Sequence, residues 1–184
     1  MKAAAVLVAV LLAGCAHPPP PAADAHKVDR LLVLVRERLE LAPAVAQAKW
    51  NSGAPIEDLP REREILDAVA RAAPGYGLEP RAAVAFFGAQ IEAGKVVQQA
   101  LHRDWRAQGR PPFPAAPDLG RELRPAFDRL TPELLAALGE AQPAIARAGG
   151  RALVAEAAGR IMAGAPGGAA AEEAALAPLY ATGN

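Results

Sequence analysis

Cys15 is the only cysteine among 184 residues, so no internal disulfide can staple the fold, whatever the redox state of its compartment. Aromatic residues make up only 4% of the chain, too few to form the bulk of a core, although hydrophobic residues together reach 52%. Net charge is absent as well. The 20 basic residues balance the 20 acidic ones, which leaves no overall field to attract nucleic acid or an acidic membrane surface. Any function that uses charge must therefore gather it locally. With one thiol, and with only His26 and His102 in or beside the folded part, serine, cysteine and metal hydrolases find little support. Beyond the first residues there is no second membrane span, no strand-like alternation and no repeat of fixed period.

The apolar excess is alanine, which favours helices and lets them approach closely, so the composition alone predicts an all-α protein. The length suits one domain with a real core. The start has the form of a signal peptide: Lys2, an unbroken apolar run from Ala3 to Leu12, then Ala13 and Gly14. It ends Leu12-Ala13-Gly14-Cys15, which resembles the lipobox of bacterial lipoproteins, where the cysteine is acylated and becomes the new N-terminus. The expectation is an exported, periplasmic protein anchored to a membrane by lipid on Cys15. A plain secreted protein cut after Ala16 or Ala25 is the alternative, and Ala25 lies far from the apolar run. Residues 16–23, with four consecutive prolines from Pro18 to Pro21, read as an extended spacer.

Folding is expected from Asp24. Leu31, Leu32, Val35, Leu39 and Val45 recur at helical spacing and predict a long first helix to Trp50, with a bend at Pro43. Asn51 to Pro55 is a break. A short helix follows from Leu59 to Ala73, with Pro60 in its first turn, and Pro80 opens another that runs to Gln108. After the loop 109–114 a fourth helical stretch begins near Asp118, with an interruption at Thr131-Pro132. A domain over 24–148 is thus followed by an Ala/Gly-rich helical extension, 149–184, of weak amphipathicity and divided at 165–168.

Four polar groups fall where a helix face can be assigned. Arg38 and Lys49 lie eleven residues apart, close to three turns, so an unbroken helix points both to one side. Asp58, Arg61 and Glu62 stand at i, i+3 and i+4 at the start of the short helix. Gly94 and Gln98 are four apart in an apolar neighbourhood, and Arg124 begins the last strongly patterned helix. Taken singly, each has an ordinary explanation: Arg38 paired on a solvated face, Lys49 a snorkelling lysine, Asp58 and Glu62 a helix cap, Gln98 an exposed polar residue, Gly94 a close helix contact. Their joint arrangement is less ordinary.

The series resembles the all-helical chorismate mutases, and the signal peptide and long C-terminal extension are similar to their secreted, periplasmic subclass. The stretches that carry the resemblance are Arg38-Leu39 with Ala48-Lys49-Trp50, Pro55 to Glu62, Gln90-Ile91-Glu92 with Val97 to Leu101, and Pro117-Asp118-Leu119 leading to Arg124. It covers Asp24 to Asp128. It implies a helical bundle that rearranges chorismate to prephenate, a pericyclic step needing no nucleophile, metal or cofactor, and it implies a homodimer. Such a reaction calls for holding a flexible dianion in its compact form and for donors aimed at the ether oxygen, which gains negative charge.

By this resemblance Arg38 and Arg124 grip the carboxylates, and Lys49 and Gln98 donate to the ether oxygen. Arg61 adds positive charge near the breaking bond. Glu62 and Asp58 receive the hydroxyl or orient the cations. Arg124 comes from the same chain, so each protomer carries a complete site. Some members have glutamate where Gln98 stands and need it protonated; glutamine donates at any pH. Gly94 departs from the family, which commonly has serine or threonine there, and the missing contact is expected to cost about 1 kcal/mol of substrate binding. Two other classes stay open: a structural or adaptor lipoprotein, which has no reason to gather the cations, and a dianion-binding protein without turnover.

Overall fold

The computed structural model describes residues 22–181, so the signal peptide, Cys15 and most of the proline-rich spacer lie outside the described residues. Among the described residues there are seven α-helices: α1 (Ala22–Glu40), α2 (Ala42–Ser52), α3 (Leu59–Ala72), α4 (Pro80–Ala107), α5 (Arg124–Ile145), α6 (Gly150–Ile161) and α7 (Gly168–Ala181). A tight turn of helix, Ala73–Tyr76, extends α3, and a widened turn, Leu119–Leu123, leads into α5. There is no strand among the described residues, as the alanine-rich composition requires.

The first helix divides at Leu41, not at Pro43. Proline has no N–H to give to Leu39, so the ladder tightens one turn earlier, with Leu41 N–H donating to Arg38 at 3.3 Å. Leu41 stays near helical torsions (φ −76°, ψ −21°), so α2 continues with little change of direction. It stops at Gly53, whose φ of 70° takes the chain into the left-handed region that glycine tolerates. The expected interruption at Thr131-Pro132 does not occur, and α5 runs through Pro132 and Pro143. Both prolines are exposed, so water can satisfy the carbonyls they leave without a donor. The fourth stretch begins at Asp118 as a capped, widened turn, and the α-helix proper starts at Arg124.

One hydrophobic core joins the helices, centred on Leu31, Leu32, Val35, Phe86, Phe87, Leu134 and Leu135. Helix α5 packs along α1, while α2 and α3 pack on α4. The C-terminal segment enters the same core: α6 lies on α1 and contributes Leu153 and Val154, and α7 lies on α4 and contributes Ala171, Ala175 and Leu176. The weak amphipathicity of α7 has a simple cause, since alanines lie on its exposed face as well as beside Leu176 and Leu179 on the buried one. Polar clamps fix these helices. Gln90 of α4 donates to the Ala175 carbonyl at 2.8 Å, Arg36 of α1 donates to the carbonyls of Ile161 and Ala163 at 2.7 and 3.0 Å, and Asp24 pairs with Arg147. Gly139 lets α5 meet the turn at Tyr76, whose carbonyl would stand 2.4 Å from any Cβ there. This packing leaves a cleft among α1 to α5.

Candidate active site

Each of the first five helices sends one candidate side chain into that cleft: Arg38 from α1, Lys49 from α2, Arg61 from α3, Gln98 from α4 and Arg124 from α5. Asp58, Glu62 and Gly94 line the same cavity, which measures about 900 Å³ with its open mouth. All eight positions singled out in the sequence are therefore together. Apolar walls come from Val45, Ile65, Ile91 and Phe127.

The start of α3 is held by reciprocal bonds. The Asp58 carboxylate accepts from the Arg61 N–H, and the Asp58 N–H donates to Glu62 Oε1, both at 3.2 Å. Asp58 thus serves as a helix cap, and its placement in the cavity wall follows from that role. The widened turn before α5 repeats the device: Asp118 accepts from Gly120 and Arg121 at 2.8 and 2.7 Å, and its N–H donates to Glu122 at 2.9 Å. The cap backbone bonds, led by Arg121, hold the Asp118 carboxyl below its usual range. Two capped helix starts therefore frame the mouth of the cavity.

Electrostatically the lining is cationic. Arg38, Lys49, Arg61, Lys95 and Arg124 face only three carboxylates, Asp58, Glu62 and Asp128. Arg38 has no ion pair among the described residues. Its Nη1 makes a long contact, 3.5 Å, to the Gln90 carbonyl, and its guanidinium carbon stands 4.7 Å over the Phe127 ring. The residue is half-buried, and desolvation lowers its pKa to about 10, so it remains charged at neutral pH. A cation over a ring returns about 0.5–2 kcal/mol, less than the several kcal/mol a desolvated ion forfeits, so a carboxylate arriving here recovers the difference.

Lys49 is buried, and its Nζ donates to the Ile56 carbonyl at 2.5 Å without an ion pair among the described residues. Burial lowers its pKa, Asp58 and Glu62 oppose that shift, and Lys95 adds to it. Two of its three ammonium protons remain for a ligand. Gln98 is also buried; its Nε2 donates to the Gly94 carbonyl at 3.1 Å, while its Oε1 has no hydrogen-bond partner among the described residues. A buried acceptor left unmet costs about 1–3 kcal/mol, which a ligand donor can recover. At Gly94 a Cβ would meet only Gln98 Nε2, at 3.9 Å, so the missing hydroxyl is not imposed by lack of space. Arg61 pairs with Glu64 at 3.2 Å and with Asp128 at 3.5 Å, and Arg124 is exposed at the mouth.

Two charged residues of the cavity escaped sequence reasoning. Lys95 is almost fully buried and pairs with Glu92 at 2.6 Å and Glu62 at 3.2 Å. Burial works against its charge, but the bonds to Glu92 and Glu62 prevail and raise its pKa. Asp128 braces Arg61 from α5. The signal for Lys95 was present, since it follows Gly94 and stands three residues before Gln98 on the face that meets α3.

The family model for chorismate mutase type II matches residues 26–99. The secreted chorismate mutase of Mycobacterium tuberculosis is 33% identical over 136 residues, covering 72% of this chain and 68% of that relative. The monofunctional chorismate mutase of Enterobacter agglomerans is 35% identical over 106 residues, covering 58% of each chain. Among solved structures, that of the chorismate mutase from Burkholderia phymatum superposes with a TM-score of 0.79 at 33% identity, over 86% of this chain and 98% of that one. With this all-helical fold, the chain belongs to the type II chorismate mutases.

Proposed function

We propose that this protein rearranges chorismate to prephenate outside the cytoplasm, in the cavity among α1 to α5. The observation that carries the proposal is the convergence of Arg38, Lys49, Arg61, Gln98 and Arg124, one from each of five helices, on a single cleft. An adaptor protein has no use for two cations, half-buried Arg38 and buried Lys49, that lack a carboxylate partner among the described residues. A dianion does: Arg38 and Arg124 hold the two carboxylates, because the planar guanidinium can take each one through paired bonds. Lys49 and Gln98 donate to the ether oxygen as it gains charge, and Arg61 adds positive potential beside it. Glu62 receives the ring hydroxyl.

Catalysis on this account comes from position and field. Restricting the substrate to its compact conformer removes entropy before the chemical step, and donors fixed in a partly dry cleft act with less screening than in water. Loss of chorismate followed by absorbance at neutral pH, with residues 22–184 beside a Lys49→Ala variant, tests the proposal. Turnover by the wild type and a fall of about a hundredfold or more in the variant are expected. A wild type inert between acid and neutral pH would sink it.

Export rests on the leader sequence and on the secreted relatives. In the same proposal Cys15 carries the lipid anchor. Radiolabelled palmitate should enter the wild-type protein and not a Cys15→Ser variant; a wild type that takes up no label is a plain secreted protein.

A further inference from the structure

Lys49 makes no ion pair among the described residues, yet two carboxylates, Asp58 and Glu62, are close enough to favour its charge. A lysine in a desolvated cleft beside free carboxylates ordinarily collapses onto one of them. Asp58 is occupied by the α3 cap. Glu62 is occupied by Lys95. One carboxylate oxygen accepts from the Asp58 N–H, and the other from Lys95 Nζ at 3.2 Å.

We infer that Lys95 is a positioning residue: by engaging Glu62 it keeps the ammonium of Lys49 unpaired and available to the substrate. This rests on the mutase reading of the same site. Lys95 is suited to the task because its side chain is only 8% exposed, so its bond to Glu62 is little screened. On its other side it is steered by Glu92, at 2.6 Å, which is 61% exposed and therefore orients more than it stabilises. Charge balance works in the same direction. Without Lys95 the cavity would hold four cations against the same three carboxylates, and Glu62 would be left as the acceptor facing Lys49 with no other cation bonded to it. A Lys49–Glu62 pair would turn the donor away from the ether oxygen and oblige the substrate to break an ion pair before reaction.

The alternative is a lysine that merely ties α3 to α4. The two are separated by a double-mutant cycle with the full mature chain: wild type, Lys95→Met, Glu62→Gln and the combination, each first checked for a cooperative melt. Lys95→Met alone should lower kcat about tenfold or more while KM changes less than about twofold; on Glu62→Gln the same change should alter kcat less than about twofold. Lys95→Arg should retain most activity. Equal losses in both backgrounds, or a rise in KM alone, overturn the inference and make Lys95 a direct substrate contact or a structural tie.

Crystal structures of wild type and Lys95→Met give an answer that needs no turnover. Lys49 is expected to leave the Ile56 carbonyl and pair with Glu62 in the variant. If Lys49 stays where it is, the inference fails, even with an active enzyme; a wild type that ignores chorismate while Lys49 shifts as expected condemns the mutase reading instead.

Discussion

On the proposed mechanism, Arg38 and Lys49 set the working range of the site in pH. Both must be protonated to act, and burial lowers both, Arg38 to about 10 and Lys49 below its ordinary value. Because the charged form is the active one, kcat/KM should hold through neutral pH and fall as pH rises toward 10, where the free enzyme loses these protons. A bound dianion favours the charged forms, so the fall in kcat should lie at higher pH than the fall in kcat/KM. Coincident alkaline limbs would show that the bound dianion does not act on the titrating groups, and profiles flat beyond pH 10 would show that neither residue needs its charge. These two residues were legible in the sequence because they combine a charge with a helical spacing and a family resemblance. Lys95 was harder to read, since a lysine three residues after Glu92 on a helix looks solvated until the packing of α3 on α4 closes over it. Ile65, Ile91 and Phe127 were legible as apolar only: periodicity assigns a face to the interior and does not say whether that interior is core or cavity wall.

Part of the cavity wall is built at helix starts, with Asp58, Arg61 and Glu62 opening α3 and Arg124 opening α5. Asp58 has one job in its helix and another in the cavity wall, and the two can be told apart by substitution. Asp58→Ala removes the cap acceptor and should cost about 1 kcal/mol in urea unfolding, whereas Asp58→Asn keeps an acceptor and should cost a few tenths at most. Equal losses would mean that charge, not capping, carries the stability. At this scale the sequence was read well where turn chemistry is explicit, as at Gly53 and Pro80, and poorly where proline sits in an exposed helix. Pro43 displaced the break to Leu41, and Pro132 produced none, because the outcome depends on whether water can reach the freed carbonyl, which one-dimensional pattern does not record.

On the scale of the whole molecule, the all-α class followed from composition, while the placement of α6 and α7 did not. A helix with alanine on both faces carries almost no amphipathic signal, so the closure of α7 over α4 becomes visible only when both are packed. That closure has a mechanical consequence, because α4 supplies Gly94, Lys95 and Gln98 on one side and is braced by α7 on another. Arg124 reaches the same cleft as Arg38, Lys49, Arg61 and Gln98 of the same chain. A site assembled across two chains dissolves by mass action when the protein is scarce; on the proposed reading, in which one chain supplies every site residue, this one would not. Activity per molecule should stay constant on serial dilution from micromolar to picomolar, as measured by initial rates with a carrier protein present. A decline with dilution would mean that pairing shapes the cleft after all. For a protein exported from the crowded cytoplasm into a compartment it does not fill, a site proposed to need no second copy would keep each molecule competent alone.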